Sequence, residues 1–445
     1  MTQGKIQAGV QSGAARASHP SFDPPSGASG ASGASPLDKG MGAMEHPVDA
    51  QDVASLGWNL LHEDLSLPAA VLYREKLEHN LRWMQQFTDA YGARLAPHGK
   101  TTMAPRLFAM QLEAGAWGIT LATAHQTVVA HRHGVRRVLM ANQLVGKRNM
   151  AAIAELLEDP GFSYYCLVDS AELVEQLGAF FSGRGLRLQV LLELGVAGGR
   201  AGVRGEEQLE STLAALARWR ENVLLCGVEI YEGILSDEAA VRAFLDRAVE
   251  VTRRLAGEGR FQHQPVLLSG AGSLWYDVVA EVFSAAGFGD SVEIVLRPGC
   301  YLTHDVGAYR VAQARILECN PIARRMLSGL VPALHVWAYV QSIPEPRRAI
   351  VGLGRRDAAF DSGLPVPALF FRPGEPSPVP APSHWSLIKI MDQHAYLEIS
   401  EGDQLRPGDM IGFDISHPCL TFDKWRVLPV LDSGYQVVDL VRTFF

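Results

Sequence analysis

The sequence predicts an α/β protein in two parts: a (β/α)8 barrel followed by a smaller, mostly β domain. Three observations predict it. Short apolar, β-prone runs recur from about residue 94, stretches with apolar residues at helical spacing separate them, and the alternation stops after about residue 320. Strands buried on both faces, as in parallel sheets, need such continuous apolar runs. Eight of them alternating with helices is the pattern of a (β/α)8 barrel. An open doubly wound sheet shares the alternation and stands as the alternative.

The eight runs are, in order, Arg94–Pro97, Gly118–Ala122, Arg137–Ala141, Tyr164–Val168, Leu188–Leu192, Leu224–Ile230, Val266–Ser269 and Val292–Leu296. Between them, stretches such as Ala171–Phe180 and Asp237–Leu255 carry the helical spacing. A barrel places its chemistry just past the C-terminal ends of its strands. Polar residues fall there in this chain. Lys100 follows the first run, Thr123-Ala124-His125 the second, Asn142-Gln143 the third and Asp169-Ser170 the fourth. Arg200 lies in the Gly-rich loop after the fifth, and Tyr231-Glu232-Gly233 follows the sixth. The seventh opens into Ser269-Gly270-Ala271-Gly272-Ser273 and the eighth into Arg297-Pro298-Gly299-Cys300-Tyr301. Loops at these last two positions commonly bind phosphate, because small residues let backbone N–H groups approach an anion.

Residues 1–49 are expected to be a disordered tail. The stretch Ser26–Ser35 is low-complexity and too poor in apolar area to offset its ordering entropy. Residues 50–320 are expected to form the barrel domain, with Leu60–Tyr73 free to join either domain. Residues 321–445 are expected to form the β domain, on runs such as Leu334–Gln341 and Ala349–Gly352 and Pro-rich turns between Leu364 and Pro382.

The chain has 445 residues, 47% apolar and 20% charged, with a net charge of −8. That is the composition of a soluble globular protein and gives no sign of nucleic-acid or anionic-membrane binding. No run of about 18 apolar residues marks a membrane span, and no basic-then-apolar N-terminus marks a signal peptide. Five scattered cysteines do not read as a disulfide framework. A reducing, cytoplasmic compartment is the expectation.

Two segments carry most of the chemistry. Ala96-Pro97-His98-Gly99-Lys100-Thr101-Thr102 offers an amine for a Schiff base with a carbonyl cofactor. Ser416-His417-Pro418-Cys419-Leu420-Thr421-Phe422 offers an imidazole and a thiol two residues apart, a metal pair. Each alone is weak, since most lysines are solvated and most His-X-Cys triplets mean nothing. Together they point to an enzyme that joins an electron sink to a Lewis acid. A thiolate favours zinc over Mn²⁺ or Mg²⁺. Two protein ligands leave positions open for substrate and water, whereas a structural zinc is closed by four.

These segments form part of a longer series. Pro97-His98-Gly99-Lys100-Thr101, Gly198-Gly199-Arg200-Ala201-Gly202, Glu229-Ile230-Tyr231-Glu232-Gly233, Ser269–Ser273, Arg297–Tyr301, Asp392-Gln393-His394 and Ser416–Cys419 follow one another along the chain. From about Leu67 to the C-terminus the sequence resembles the fold-type III pyridoxal-phosphate enzymes, with their alanine-racemase-like barrel. It is most similar to the D-serine dehydratase and D-threonine aldolase group. The resemblance implies that Lys100 forms the Schiff base with pyridoxal 5'-phosphate. It places Arg200 near the cofactor's phenolic oxygen and Tyr231 near its ring. It gives Ser269, Gly270, Gly272, Ser273, Gly299, Cys300 and Tyr301 to the phosphate, and His417 and Cys419 to Zn²⁺. On the residues alone, Arg200 reads sooner as a surface group in a Gly-rich turn and Tyr231 as barrel core. His98, His125 and His394 read as orienting or packed groups, and Asp392 and Gln393 as supporting ones. Cys166 and Cys226 read as core, and Trp117, Trp275 and Trp425 as packing residues.

The function so implied is a dehydratase, or ammonia-lyase, taking a β-hydroxy D-amino acid of the D-serine or D-threonine type to a 2-oxo acid and ammonia. The alternative is a metal-dependent D-threonine aldolase giving glycine and an aldehyde. In this group the aldolases tend to carry aspartate where this chain has Cys419, and the dehydratases cysteine. That residue tilts the expectation to dehydration. A racemase would need no metal pair, and a cofactor carrier of this barrel type would lack the C-terminal domain. The expected partners are a small amino-acid substrate and a second copy in a homodimer, with neither nucleic acid nor membrane.

Overall fold

The first strand, β1 (Ala69–Tyr73), does not join the barrel it precedes. It leads into helix α1 (Arg74–Ala90), after which eight parallel strands make the barrel in a computed structural model that describes residues 33–445. They are β2 (Arg94–Leu95), β3 (Ile119–Leu121), β4 (Arg137–Gln143), β5 (Ser163–Val168), β6 (Leu188–Leu194), β7 (Val223–Ile230), β8 (Val266–Gly270) and β9 (Val292–Leu296). Their order is β2-β9-β8-β7-β6-β5-β4-β3. All eight expected runs are strands, and the barrel replaces the open sheet because the two ends meet. Pro97 has no N–H for the ladder, so β2 ends early. Pairing resumes at His98, which bridges Thr120, while Thr120 donates to the Pro97 carbonyl at 2.8 Å.

Side chains fill the barrel interior, with Leu139, Tyr165, Leu167, Leu191, Cys226, Leu267 and Val295 in one cluster. On β7, Gly227 has no room for a side chain. A Cβ there would lie 1.9 Å from the Leu267 carbonyl oxygen. Outside, helices open on their own caps: Thr123, Ser170 and Asp237 each accept a hydrogen bond from a first-turn N–H. These caps fix where the mouth loops end and the helices begin.

The remaining strands are β10 (Leu334–Glu345), β11 (Arg348–Val351), β12 (Val366–Phe371), β13 (Val379–Pro380), β14 (Ser386–Ile390), β15 (Ala395–Glu398), β16 (Met410–Asp414), β17 (Val427–Leu431) and β18 (Val437–Arg442). The main sheet runs β13-β12-β16-β10-β1-β17-β18, and β11, β14 and β15 extend from β10. β1 pairs antiparallel with β10 and parallel with β17. The segment that sequence left between the domains therefore belongs to the β domain. Trp337 on β10 is fully buried there, donates to the Tyr73 hydroxyl at 2.8 Å, and packs where a Cβ on Gly412 would be 2.8 Å away. Trp337→Ala is expected to cost about 3–5 kcal/mol in denaturant unfolding, from lost burial and the cavity left behind.

Of the expected tail, residues 1–49, only residues 33–49 are among those described. Residues 1–32, with most of the low-complexity stretch, lie outside the described residues. Residues 33–49 pack on the β domain: Ala34 bridges Val48, Gly42 bridges Leu65, and Ala34 and Met41 are buried. Lys39 donates to the Asp357 carboxylate at 3.0 Å and lies 3.7 Å over the Trp425 ring. Composition hid this, because a few apolar residues suffice when a ready-made surface receives them. Among the described residues no helix is long and apolar enough to cross a membrane.

Candidate active site

Lys100 sits in a single helical turn, Gly99–Thr101, just past the C-terminal end of β2. The residue is exposed at the mouth. Protein atoms nevertheless crowd its amine, and this desolvation, with Arg200 and Arg297 nearby, holds its pKa below the ordinary lysine value against the pull of Cys419. Beside it His98 is held well below the usual imidazole range by burial and by Lys100 and Arg297. Its Nδ1 is buried without a partner.

Arg200, in the loop after β6, stacks its guanidinium 5.0 Å from the centre of the Tyr231 ring. The two residues that sequence could read as surface and core thus meet over the mouth. Beneath them, Glu193 on β6 is the register neighbour of Glu229 on β7. Gln143 donates to Glu193, and Arg297 donates to Glu229. Burial and the neighbouring Glu229 push Glu193 up to about 7. One oxygen of Glu229 is buried and unpartnered.

The residues expected in the phosphate loops divide between the barrel wall and the mouth. Ser269 and Gly270 end strand β8 and are buried. The Ser269 hydroxyl donates to the Val295 carbonyl at 3.1 Å and accepts from Arg297 at 3.0 Å, so it braces the barrel wall. The Ala271 and Gly272 N–H groups both donate to the Glu232 carboxylate, at 3.2 and 2.6 Å. Tyr301 is buried in the wall, its hydroxyl accepting from Gln111. At the mouth the N–H groups of Gly299 and Cys300 converge on the Ser273 hydroxyl at 3.3 and 3.2 Å, forming a small cradle. Gly299 is required there, since a Cβ would lie 2.8 Å from the His98 carbonyl oxygen. Motif position alone could not separate strand-end residues from loop donors.

Cys300 differs from expectation in its side chain. The thiol turns from the cradle to Cys419, with the sulfurs 3.7 Å apart. Cys419 lies in the helical turn Pro418–Phe422 and contacts Thr101, the neighbour of Lys100, at 3.5 Å. The hydrogen bond from the Cys300 thiol and the adjacent His417 lower Cys419 to about 4 in spite of burial. Cys419 and Asp361 in turn raise His417 to about 9. His417 Nδ1 and Asp361 Oδ2 are 2.7 Å apart. Sequence missed Asp361: it is 56 residues from His417, in a turn with no spacing signal. It also missed Glu232 and Thr101 as site groups.

Other expected residues lie elsewhere. His125 is exposed at the start of a helix, and Asp392, Gln393 and His394 form an exposed turn between β14 and β15. There Gln393 donates to Asp357 at 3.2 Å. Cys166 and Cys226 are buried. Trp425 is buried, and Trp117 and Trp275 are half-buried against neighbouring side chains.

The arrangement suits an anionic aromatic aldehyde. An amine with lowered pKa, a Tyr–Arg stack and converging backbone N–H groups surround one mouth. The sequence matches the alanine racemase N-terminal domain over residues 73–289 and the putative serine dehydratase domain over residues 333–431. The chain belongs to the fold-type III pyridoxal-phosphate enzymes. Within this family it is an enzyme of the lyase class. A D-threonine aldolase from Arthrobacter sp. is 27% identical over 370 residues, covering 82% of this chain and 89% of the relative. The D-threo-3-hydroxyaspartate dehydratase of Delftia sp. (strain HT23) is 32% identical over 143 residues, 32% of this chain and 37% of the relative. The crystal structure of D-threonine aldolase from Filomicrobium marinum superposes with a TM-score of 0.71 at 24% identity, over 87% of this chain and 97% of that one. This last likeness shows the shared fold.

Among the described residues no three His, Cys, Asp or Glu side chains gather around one point as a ready-made metal cage. The chemistry of the pair His417 and Cys419 still fits a metal with open positions: a thiolate, an imidazole, and a carboxylate that orients the imidazole from behind.

Proposed function

We propose that the chain is a pyridoxal-phosphate- and zinc-dependent dehydratase that converts a β-hydroxy D-amino acid, of the D-serine or D-threonine type, to a 2-oxo acid and ammonia. The observation that carries the reading is the pair His417 and Cys419 set against Thr101, one residue from Lys100. Bound pyridoxal phosphate supplies an electron sink for the substrate's Cα. Lys100 would hold it by the Schiff base, Arg200 and Tyr231 would flank it, and Ser273 with the Gly299 and Cys300 N–H groups would hold its phosphate. Zn²⁺ on His417 and Cys419 would supply a Lewis acid beside Lys100.

Lys100 acts as the base. With its pKa lowered, more of the amine is unprotonated near neutral pH and able to take the α-proton. His98, kept neutral, adds no charge that would hold this proton back. The Glu193, Glu229 and Arg297 network braces the floor, so that Arg200 and Tyr231 are presented from a rigid wall. Loss of the α-proton and of the β-hydroxyl amounts to loss of water. The resulting enamine tautomerises and hydrolyses to the 2-oxo acid and ammonia.

Solved structures of a D-threo-3-hydroxyaspartate dehydratase support the metal part of the reading. One has a histidine replaced by alanine, and another, in the metal-free form, has a cysteine two positions further on replaced by alanine. The spacing is that of His417 and Cys419. We expect Asp361→Asn to weaken Zn²⁺ binding about 10–100-fold through a less basic, less oriented imidazole. Competition against a chromophoric chelator measures it.

The longer match to a D-threonine aldolase favours the second reading, cleavage to glycine and an aldehyde. The deciding experiment supplies D-threonine and Zn²⁺ and measures 2-oxobutanoate, ammonia, glycine and acetaldehyde together. Oxo acid with ammonia, lost on chelation, supports the dehydratase. Glycine with acetaldehyde overturns it in favour of the aldolase. The reading also carries a cytoplasmic homodimer; light scattering of the purified protein tests the dimer by its mass.

A further inference from the structure

The proposed reaction uses the sulfur of Cys419 and leaves that of Cys300 idle. The two cysteines are 119 residues apart in sequence, yet their sulfurs are 3.7 Å apart. The Thr101 hydroxyl touches both, at 3.9 Å from Cys300 and 3.5 Å from Cys419. We propose that Cys300 and Cys419 form a redox modification site: a hydroperoxide oxidises Cys419, and Cys300 resolves it to a disulfide that removes the metal-binding thiolate.

Three observations carry this. First, the sulfurs are already in van der Waals contact. A disulfide needs about 2.05 Å between them, so closure asks for a movement of under about 2 Å. Second, access is unequal. Cys300 is buried at 4% exposure, whereas Cys419 is only partly buried. The oxidant therefore meets Cys419, and the shielded thiol behind it is placed to resolve the product, as in redox sensors. Third, the other cysteines are elsewhere. Cys166 and Cys226 are buried on β5 and β7, which β6 separates, and Cys319 is exposed at the end of a helix.

The steps balance. The Cys419 thiolate attacks the O–O bond of the hydroperoxide, giving a sulfenic acid, and the departing oxygen takes a proton and leaves as water or an alcohol. The Cys300 sulfur then attacks the Cys419 sulfur. The S–S bond forms, the S–O bond breaks, and the Cys300 proton leaves with the hydroxyl as water. Two electrons pass from the two thiols to the peroxide. A dithiol reverses the change by exchange.

The withdrawal of the metal rests on the reading of Cys419 as a zinc ligand, and the disulfide does not. The test uses the full chain carrying Cys319→Ser, which leaves four cysteines and removes the exposed thiol. It is treated with hydrogen peroxide with and without Zn²⁺, then denatured for thiol counting and peptide mapping. The expected result is a fall from four thiols to two, a linked peptide holding Cys300 and Cys419, and full recovery with dithiothreitol. In Cys300→Ser and Cys300→Ala the linked peptide is lost and Cys419 advances to the sulfinic acid. Four thiols remaining, or thiol loss without the linked peptide, overturns the proposal. Zinc is expected to slow closure and to be released as the pair closes, read by a colorimetric chelator. A disulfide that forms equally fast with and without Zn²⁺ upholds the redox site and overturns the ligand role of Cys419.

Discussion

Lys100→Ala is expected to lower turnover by at least about a hundredfold to ten-thousandfold, the range a positioned general base contributes. Two functions leave together. The variant lacks the amine that would fix the cofactor covalently, and it lacks the base beside the substrate's Cα. Cofactor binding should weaken without vanishing, because Arg200, Tyr231 and the Ser273–Cys300 cradle remain. Ammonia release gives the turnover, and equilibrium dialysis with pyridoxal phosphate gives the retained binding. Loss of the lysine-bound absorbance with nearly unchanged turnover would move the base elsewhere. His98 would be the next residue to test, since its buried Nδ1 is unpartnered and its ring is held neutral.

Cys419→Ala is expected to strip the metal and cut dehydration by about a hundredfold or more, since the Lewis acid at a departing oxygen is worth several kcal/mol. Metal analysis of the dialysed protein reads the first effect and 2-oxo acid formation the second. Cys419→Asp asks the finer question. Carboxylate is an anionic but harder ligand. The variant is expected to keep a metal while glycine and acetaldehyde grow at the expense of 2-oxobutanoate. A product ratio identical to the parent would show that the residue does not choose between the two bonds.

Sequence disclosed the barrel almost strand by strand, because a parallel strand buried on both faces has little choice of residue. It singled out Lys100, His417 and Cys419 as candidates because Schiff-base and metal chemistry need rare side chains at fixed places. It was weaker where function lies in backbone direction. Ser269 and Ser273 look alike in a Gly-rich run, but one braces a wall and the other meets two N–H groups. Nothing local told that Cys300 offers its N–H to one side and its thiol to the other. Asp361 and the contact of Cys300 with Cys419 arise only when distant turns close on each other.

The placement of β1 ties the order of synthesis to the order of assembly. β1 emerges from the ribosome before any of the barrel, yet its sheet partners β10 and β17 follow the whole of it. Until then both its edges stand open, an invitation to wrong pairing. The loop-closure cost of joining β1 to β17 spans nearly the entire described chain. His417 and Cys419 arrive in that same closing stretch, just ahead of β17. A nascent chain therefore holds Lys100 long before it holds His417 and Cys419, and a truncated one that ends before β17 would keep the barrel's lysine but lack the strand that follows these two.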